Sequence, residues 1–562
     1  MKQSVGHTNT RSNKKQTTTN ITSFVRGLLN KKTYLLLALF TFIAVLLHMR
    51  QIEFPCFNSD EASFAYNGYS IAKTARDEYG TLLPTRFKAF GENKLPVTIY
   101  TIAAFVGPLG LSETTTRLPF ILIGIISPIL FFVLARKLTG NETVGLIAAF
   151  LASISPWIQI MSRHIHENII MLALVIGMLW LLYELKKRVT MRKLFILSLL
   201  VGIGLFTYHI GKVIAVFALL WVLYLIAATK ENRALIKNAA VIFIIPLILF
   251  GATELMNPTS RISNLLFTSN KGFTLSIEEL RKEHDSRIVH NKISKSISVL
   301  SNQYLSYFSP EFLVRKGDNN ARFGFEGISP ITPVTYIFIL IGLYFMFKNK
   351  EESRFLLLSL MLTAPLSAAL SWQEYSLTRS FLLIIPFLIF ASYGIYHGTI
   401  ALKRSSFKVI FLTGVIGSIL YFNFFSWDFY FNHYPKRVQA IYGWQCGYGS
   451  MGQYIKENYD EFDRFYITKK LGQPYIFTLF YLQYPPAEYQ KQAELTEPDE
   501  YGFGQVEKYD KFIFDMPEPD KNESAVFIGY PEEFTNISRD DVKIISVEGH
   551  DIFWMYEGQR NK

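Results

Sequence analysis

Twelve apolar runs of near helix-spanning length recur along the 562 residues, centred on 33–49, 95–112, 117–135, 142–160, 168–185, 193–208, 211–229, 237–254, 331–347, 355–370, 379–401 and 406–426. About 20 such residues cross the ~30 Å hydrocarbon core of a bilayer, where the backbone must satisfy its own hydrogen bonds as helix. The chain is therefore a polytopic α-helical membrane protein with aqueous parts. Its 50% hydrophobic and 18% charged residues exclude a purely soluble, fibrous or disordered chain. The net charge of +12 would suggest nucleic acid for a soluble protein. In a membrane protein it reports sidedness instead, and no nucleic-acid partner is expected. Two cysteines, Cys56 and Cys446, exclude a disulfide-rich scaffold and a Cys-based metal cluster. Both fall outside the membrane in the topology below, where pairing is allowed, but sequence supplies no distance.

Sidedness follows from Lys and Arg, which collect in cytoplasmic loops. The basic tail (Arg11, Lys14, Lys15, Arg26, Lys31, Lys32) places the N-terminus inside. No small-residue cleavage site follows Met49, so the first run is expected to be a retained span. If both 95–112 and 117–135 crossed, the Arg136/Lys137 and Lys186–Lys193 loops would face out. Run 95–112, interrupted by Pro96, Gly107, Pro108 and Gly110, is expected along the outer surface instead. Arg136 and Lys137, Lys186, Lys187, Arg188, Arg192 and Lys193, Lys230, Arg233 and Lys237, Lys348, Lys350 and Arg354, and Lys403, Arg404 and Lys408 then all lie inside. These sixteen face only Arg163, Lys212 and Arg379 in the short outer loops. The expectation is about eleven spans, N-terminus cytoplasmic, C-terminus outside.

Three parts result: a cytoplasmic basic tail (1–32) without fixed structure, a transmembrane region (33–426) with large outer loops at 50–116 and 255–330, and an extracytoplasmic α/β domain (427–562). In the second loop, Ser276 to Tyr307 mixes apolar and charged residues at helical spacing and reads as a helix lying on the membrane or the protein. In the tail, 511–516, 525–529, 542–546 and 552–556 read as strands, and 450–459 and 473–483 as helices. Gly447, Gly449 and Gly452 satisfy G-x-G-x-x-G, but no clear strand precedes them and dinucleotide binding is not expected.

Ionisable side chains are scarce in the spans and concentrated at their outer ends: Asp60, Glu61, Glu92, Lys94, Arg117, Arg163, His164, His166, Glu167, His209, Lys212, Arg315, Lys316, Asp318, Arg322, Glu374 and Arg379. A transporter would keep charges near mid-membrane; this pattern fits a site at the outer surface. Asp60-Glu61 reads equally as a helix start, with Asn58 as N-cap and Glu61 at N3 in a capping box, and as a catalytic carboxylate pair. The readings are compatible, because a helix N-terminus holds a carboxylate ionised. His164 and His166 are two apart and do not share a helix face, so no metal set is assigned. A divalent cofactor is possible but not indicated. Arg163 and Glu167, four apart, would form a paired wall on one face. Singly, each outer cation reads as a snorkelling anchor; together they suit a phosphate-bearing lipid headgroup.

The Asp-Glu pair, Asn93-Lys94-x-Pro96 and ArgLeuPro (117–119) resemble the membrane-embedded GT-C glycosyltransferases, and most closely glycosyltransferase family 39, which includes protein O-mannosyltransferases and bacterial aminoarabinose transferases. SerProTrp through Glu (155–167), ThrTyrHis (207–209), PheSerProGluPheLeu (308–313) with ArgLysGlyAsp (315–318), and AlaPro through ThrArgSer (364–380) look like the bacterial branch. The similarity runs from about residue 30 to 430. Two features depart from it: Ser63-Phe64 stands where the aminoarabinose branch has Arg-Tyr, and the His-Pro-Pro run of the mannosyltransferases is absent. The substrate need not be that of either branch.

The resemblance implies a GT-C fold, a polyprenyl-phosphate-linked sugar as donor, Asp60 as the base that activates the acceptor, and Lys94 with neighbouring arginines on the donor phosphate. The chemistry is coherent on its own terms. Outside the cytoplasm a sugar must arrive on a lipid; its phosphate leaves without an acid but needs positive charge, and an acceptor hydroxyl needs a base. Single displacement would invert the anomeric centre. The expected catalytic pair is Asp60 and Glu61. The expected donor and substrate residues are Lys94, Arg117, Arg163, Glu167, His209, Lys212, Arg315, Arg322 and Arg379. The acceptor (protein, lipid or glycan) is not readable, and a plasma (inner) membrane is the expected location. The alternative is a flippase or carrier of lipid-linked sugar without transfer chemistry, against which the charge-poor span interiors argue.

Overall fold

A computed structural model describes residues 31–90, 92–228, 235–256, 266–284, 286–324, 328–373, 375–497 and 505–561. Arg11, Lys14, Lys15, Arg26, Lys230, Arg233 and Glu374 lie outside the described residues.

Helices occupy every apolar run. In chain order they are α1 (Lys31–Met49), α2 (Ser59–Thr74), α3 (Pro96–Leu109), α4 (Glu113–Thr139), α5 (Glu142–Ser153), α6 (Pro156–Ser162), α7 (Glu167–Lys187), α8 (Met191–Leu205), α9 (Ile210–Ala227) and α10 (Ile236–Met256). The helices α11 (Lys271–Glu283) and α12 (Lys292–Ser306) follow, then α13 (Pro333–Lys348), α14 (Arg354–Thr363), α15 (Leu366–Ala369), α16 (Ile384–Ala401) and α17 (Ser405–Asp428). Among the described residues, seven helical stretches are long and apolar enough to cross a membrane. The α5–α6 pair makes an eighth, bent by 55°. The bend has a local cause: Pro156 has no N–H for the preceding turn, and the Ser155 hydroxyl instead starts a new helix by accepting from Ile158 N. α13 and α14–α15 are apolar but shorter. The 14-residue α3 is too short to cross and packs along α2.

Close helix approach is built on small residues. A Cβ on Gly342 of α13 would lie 1.8 Å from the Phe390 carbonyl oxygen, so only glycine lets α13 reach α16 this closely. The lipid-facing sides of α9 and α17 leave Leu220, Tyr224, Tyr421 and Phe424 exposed, as expected of a surface covered by hydrocarbon.

The amphipathic stretch from Ser276 to Tyr307 is not one helix. α11 ends at Glu283, and α12 restarts after Asn291, whose side chain caps Ile293 N and Ser294 N. That cap satisfies donors that a continuous helix would have bonded internally, so the sequence favours a break there.

After Asp428 the last membrane helix continues as a π turn and a 3-10 turn to Lys436, so no linker separates the tail. The tail adds α18 (Val438–Gly443), α19 (Tyr448–Asn458), α20 (Pro474–Tyr481) and α21 (Pro486–Gln492). A short hairpin before α3 supplies β1 (Phe87–Ala89) and β2 (Glu92–Lys94). The tail sheet contains β3 (Arg464–Ile467), β4 (Glu494–Leu495), β5 (Val506–Tyr509), β6 (Phe512–Ile513), β7 (Ala525–Gly529), β8 (Lys543–Val547) and β9 (His550–Glu557). Its order is β4-β5-β6-β3-β7-β9-β8, with β3 parallel to β6 and β7 and the other pairs antiparallel. Gly447, at φ +104°, opens α19 where a Cβ would meet the Ile552 side chain at 2.9 Å. A helix, α18, precedes it rather than a strand, so the glycine run is packing and not a nucleotide loop.

The tail docks on the segment after α1. Phe57 stacks on Phe480 at 4.5 Å, Tyr66 donates to the Tyr484 carbonyl, and Gln445 Oε1 accepts from Ser59 N at 2.8 Å. Cys56 and Cys446 are disulfide-bonded, with Cα atoms 5.3 Å apart across 390 residues of sequence. Replacing Cys446 by Ser is expected to cost about 2–4 kcal/mol. It should appear as a lower unfolding temperature, with dithiothreitol destabilising the wild type and leaving the variant unchanged.

Candidate functional site

The Asn58 side chain starts α2 by accepting from Asp60 N and Glu61 N at 3.0 and 3.2 Å. The reciprocal half of the expected capping box is not made. Glu61 turns inward, 1% exposed, and accepts from Arg117 Nε (2.8 Å) and Nη2 (2.7 Å), Ile165 N (2.9 Å) and Asn58 Nδ2 (3.0 Å). Arg117 is 2% exposed. Both carboxylate oxygens of Glu61 are engaged, and neither it nor Arg117 lines the cavity that Asp60 faces. They pin α2 to α4 and to the segment before α7.

Asp60, next in the same turn, points the other way. Its side chain is 47% exposed, with Lys94 Nζ 3.4 Å from Oδ1 and Arg322 Nη1 3.0 Å from Oδ2. Lys94 also donates to the Asp60 carbonyl (3.1 Å) and lies 4.2 Å from the centre of the Phe64 ring. Arg322 Nε donates to the carbonyl of Gly443 in the tail at 2.6 Å. These groups open onto a polar cavity of about 210 Å³ that Glu167, Asp318, Arg379, His164, His166, Phe323 and Trp444 also line. Asp318 is buried, accepting from Asn320 N, Leu377 N and Gln373 Nε2, and burial pushes its pKa up to about 6. Arg379 is held by the Ser371 hydroxyl (2.8 Å) and Gln373 Oε1 (3.3 Å). Tyr208 and Arg379 are shared with a second, mostly apolar groove of about 200 Å³, lined by His209, Lys212, Val213, Leu266 and Leu370.

The structure thus brings Asp60, Lys94, Glu167, Arg322 and Arg379 to one cavity, and His209 and Lys212 to the adjoining groove. Lys212 lies 3.5 Å from Glu254. Besides Arg117, two expected ligands lie elsewhere. Arg163 and Glu167 do not form a paired wall, because the helix breaks between Ser162 and Glu167. The Arg163 guanidinium is buried and donates to the carbonyls of Leu47, His48, Arg50, Gln51 and Phe54. It closes the end of α1, whose last carbonyls have no helical partner. Arg315 is 73% exposed and pairs with Glu311 one turn away.

Sequence reasoning missed the cavity roles of Phe323, Gln373 and Trp444. Trp444 carried a local signal only in its neighbour Cys446. Among the described residues no group of three or more His, Cys, Asp or Glu is placed to hold a metal ion.

Residues 93–253 match the family model of dolichyl-phosphate-mannose-protein mannosyltransferase. The apo structure of ArnT from Cupriavidus metallidurans is similar at 11% identity and a TM-score of 0.51, covering 92% of this chain and 97% of that one. The chain has the GT-C fold. The same ArnT bound to undecaprenyl phosphate gives 11% identity and a TM-score of 0.49, over 93% and 97% of the two chains. The Archaeoglobus fulgidus oligosaccharyltransferase, solved with zinc and sulfate, gives 12% and 0.49 over 80% of this chain, which spans 61% of that enzyme's length. No curated protein matches the chain in sequence. The family match begins at Asn93, within the β2 strand that carries Lys94, and does not reach Asp60.

The Glu61–Arg117 pair makes a direct prediction. Removing one partner leaves the other charge buried and alone, so Glu61→Gln and Arg117→Met should each cost about 3–5 kcal/mol. The double variant should cost clearly less than the sum. Unfolding of the four proteins in one detergent closes the cycle, and strict additivity would contradict the pairing.

Proposed function

We propose that the protein is an inverting glycosyltransferase that moves a monosaccharide from a polyprenyl-phosphate sugar to a hydroxyl acceptor at the outer face of the membrane. One observation carries the reading: Asp60, gripped by Lys94 and Arg322 in a polar cavity, shares the wall formed by Tyr208 and Arg379 with an apolar groove. A sugar suits the polar cavity, a lipid chain suits the groove, and a phosphate suits the cations between them. The name of the matching family, which acts on a dolichyl-phosphate sugar, agrees with that donor class.

In this reaction the acceptor hydroxyl attacks the anomeric carbon as its bond to the phosphate oxygen breaks. Asp60 takes the hydroxyl proton, and Lys94, Arg322 and Arg379 stabilise the charge gathering on the leaving phosphate. Attack from the face opposite the phosphate inverts the anomeric centre. Nothing in the step requires a second carboxylate, in keeping with the buried role of Glu61. The sixteen-to-three distribution of loop cations supports a cytoplasmic N-terminus, with cavity and tail on the outside of a plasma (inner) membrane.

Transfer of labelled sugar from polyprenyl phosphate into envelope fractions tests the reading, and the fraction that takes the label identifies the acceptor as protein, lipid or glycan. Asp60→Asn should lower the transfer rate by about 10²–10⁴-fold, the usual worth of a positioned base, with donor binding retained. Lys94→Ala should weaken donor binding. A near wild-type rate in Asp60→Asn would remove the base assignment.

A further inference from the structure

The cavity has an aromatic side that neither the proton transfer nor the phosphate accounts for. The ring of His164 lies 5.3 Å from that of Phe323 and 5.3 Å from that of Trp444, and Phe323 and Trp444 are 5.7 Å apart, nearly perpendicular. Such faces suit the C–H faces of a sugar ring. The polar lining and the volume of about 210 Å³ suit a small polar ligand such as a sugar.

His164 lines this cavity although it is only 2% exposed. Its Nδ1 is 2.8 Å from the Ile160 carbonyl oxygen, which can only accept, so Nδ1 carries the ring proton. Burial, with His166 and Arg117 nearby, holds the imidazole neutral, its pKa well below the usual value. Nε2 therefore presents a lone pair, and no side chain or backbone group hydrogen-bonds to it. The surrounding cations are bonded elsewhere: Lys94 to Asp60, Arg322 to Asp60 and Gly443, Arg379 to Ser371 and Gln373. A buried acceptor without a donor is unfavourable and unusual. Here the imidazole is fixed in that state by its bond to Ile160.

We infer that His164 Nε2 accepts a hydrogen bond from a ring hydroxyl of the transferred sugar and thereby determines which sugar the cavity takes. The inference rests on the transferase reading above and adds to it a specificity residue separate from the proton and phosphate chemistry. A site that hydrogen-bonds one substrate hydroxyl discriminates against the analogue lacking it, because the protein group is then left unpaired. A bound water on Nε2 would give no such discrimination.

The test uses full-length protein in nanodiscs with undecaprenyl-phosphate glucose, mannose, galactose and N-acetylglucosamine as probes. The best donor is then compared with its monodeoxy analogues. Wild type should lose about 10–100-fold in kcat/KM at one hydroxyl position only. His164→Phe should lose a similar factor with the full sugar and no longer distinguish that deoxy analogue. His164→Gln, whose amide oxygen can accept, should recover part of the discrimination. Equal losses for every analogue in wild type, or a His164→Phe protein that lowers all donors by one factor and still discriminates, would overturn the inference while leaving the transferase intact. Transfer from none of the four donors by wild type would overturn the transferase reading and the inference with it.

Discussion

The geometry of the cavity depends on a carboxylate–guanidinium pair that is not part of it. Glu61 and Arg117 meet through two hydrogen bonds at the buried start of α2, and Ile165 N and Asn58 Nδ2 take the remaining capacity of the carboxylate. A buried ion pair is weak evidence for net stability, since desolvation offsets most of the attraction. Its effect here is directional. With Glu61 drawn inward, the helical turn leaves Asp60 facing the cavity, and Ile165 N ties the His164–His166 segment to the same carboxylate. The acidic and aromatic sides of the cavity thus share one anchor.

The tail is the second constraint. Residues 434–446 supply the Gly443 carbonyl that holds Arg322, the Trp444 ring, and the Gln445 side chain that accepts from Ser59 N, while the Tyr434 hydroxyl donates to the Ala321 and Arg322 carbonyls. The Cys56–Cys446 bond lies in the same place. The cavity is therefore composite: membrane helices set its base, and the chain after the last span sets its lid side. The continuous helical path from α17 to Lys436 keeps that side in register with the bundle.

Fold class was legible because it rests on long-range averages. Apolar runs mark helices whatever the tertiary detail, and the Asn58 cap marks the start of α2 locally. Of the expected site residues, Asp60 and Lys94 stand in local patterns, and the structure brings them to one cavity. Counting cations at helix ends gathered arginines that the cavity does not hold, because Arg117, Arg163 and Arg315 are identical to Arg322 in sequence terms. The first answers a buried glutamate 56 residues away, the second a ring of helix-end carbonyls, the third a neighbour one turn along. Which partner an arginine finds is decided by packing across the whole chain. His164 was not singled out for a related reason: in sequence a fully bonded buried histidine and one whose second nitrogen lacks a partner look alike.

Asp60 is also the point where the two halves of the proposed reaction meet. Its carboxylate is shared by Lys94 and Arg322, which in that reaction also receive the phosphate. A donor phosphate, more highly charged than a carboxylate and able to accept through more oxygens, competes for the same donors and draws them toward the leaving group. In the proposed reaction that exchange would free the Asp60 oxygens for the acceptor hydroxyl, so that the contacts seen in the structure and the contacts of the reaction draw on the same two side chains.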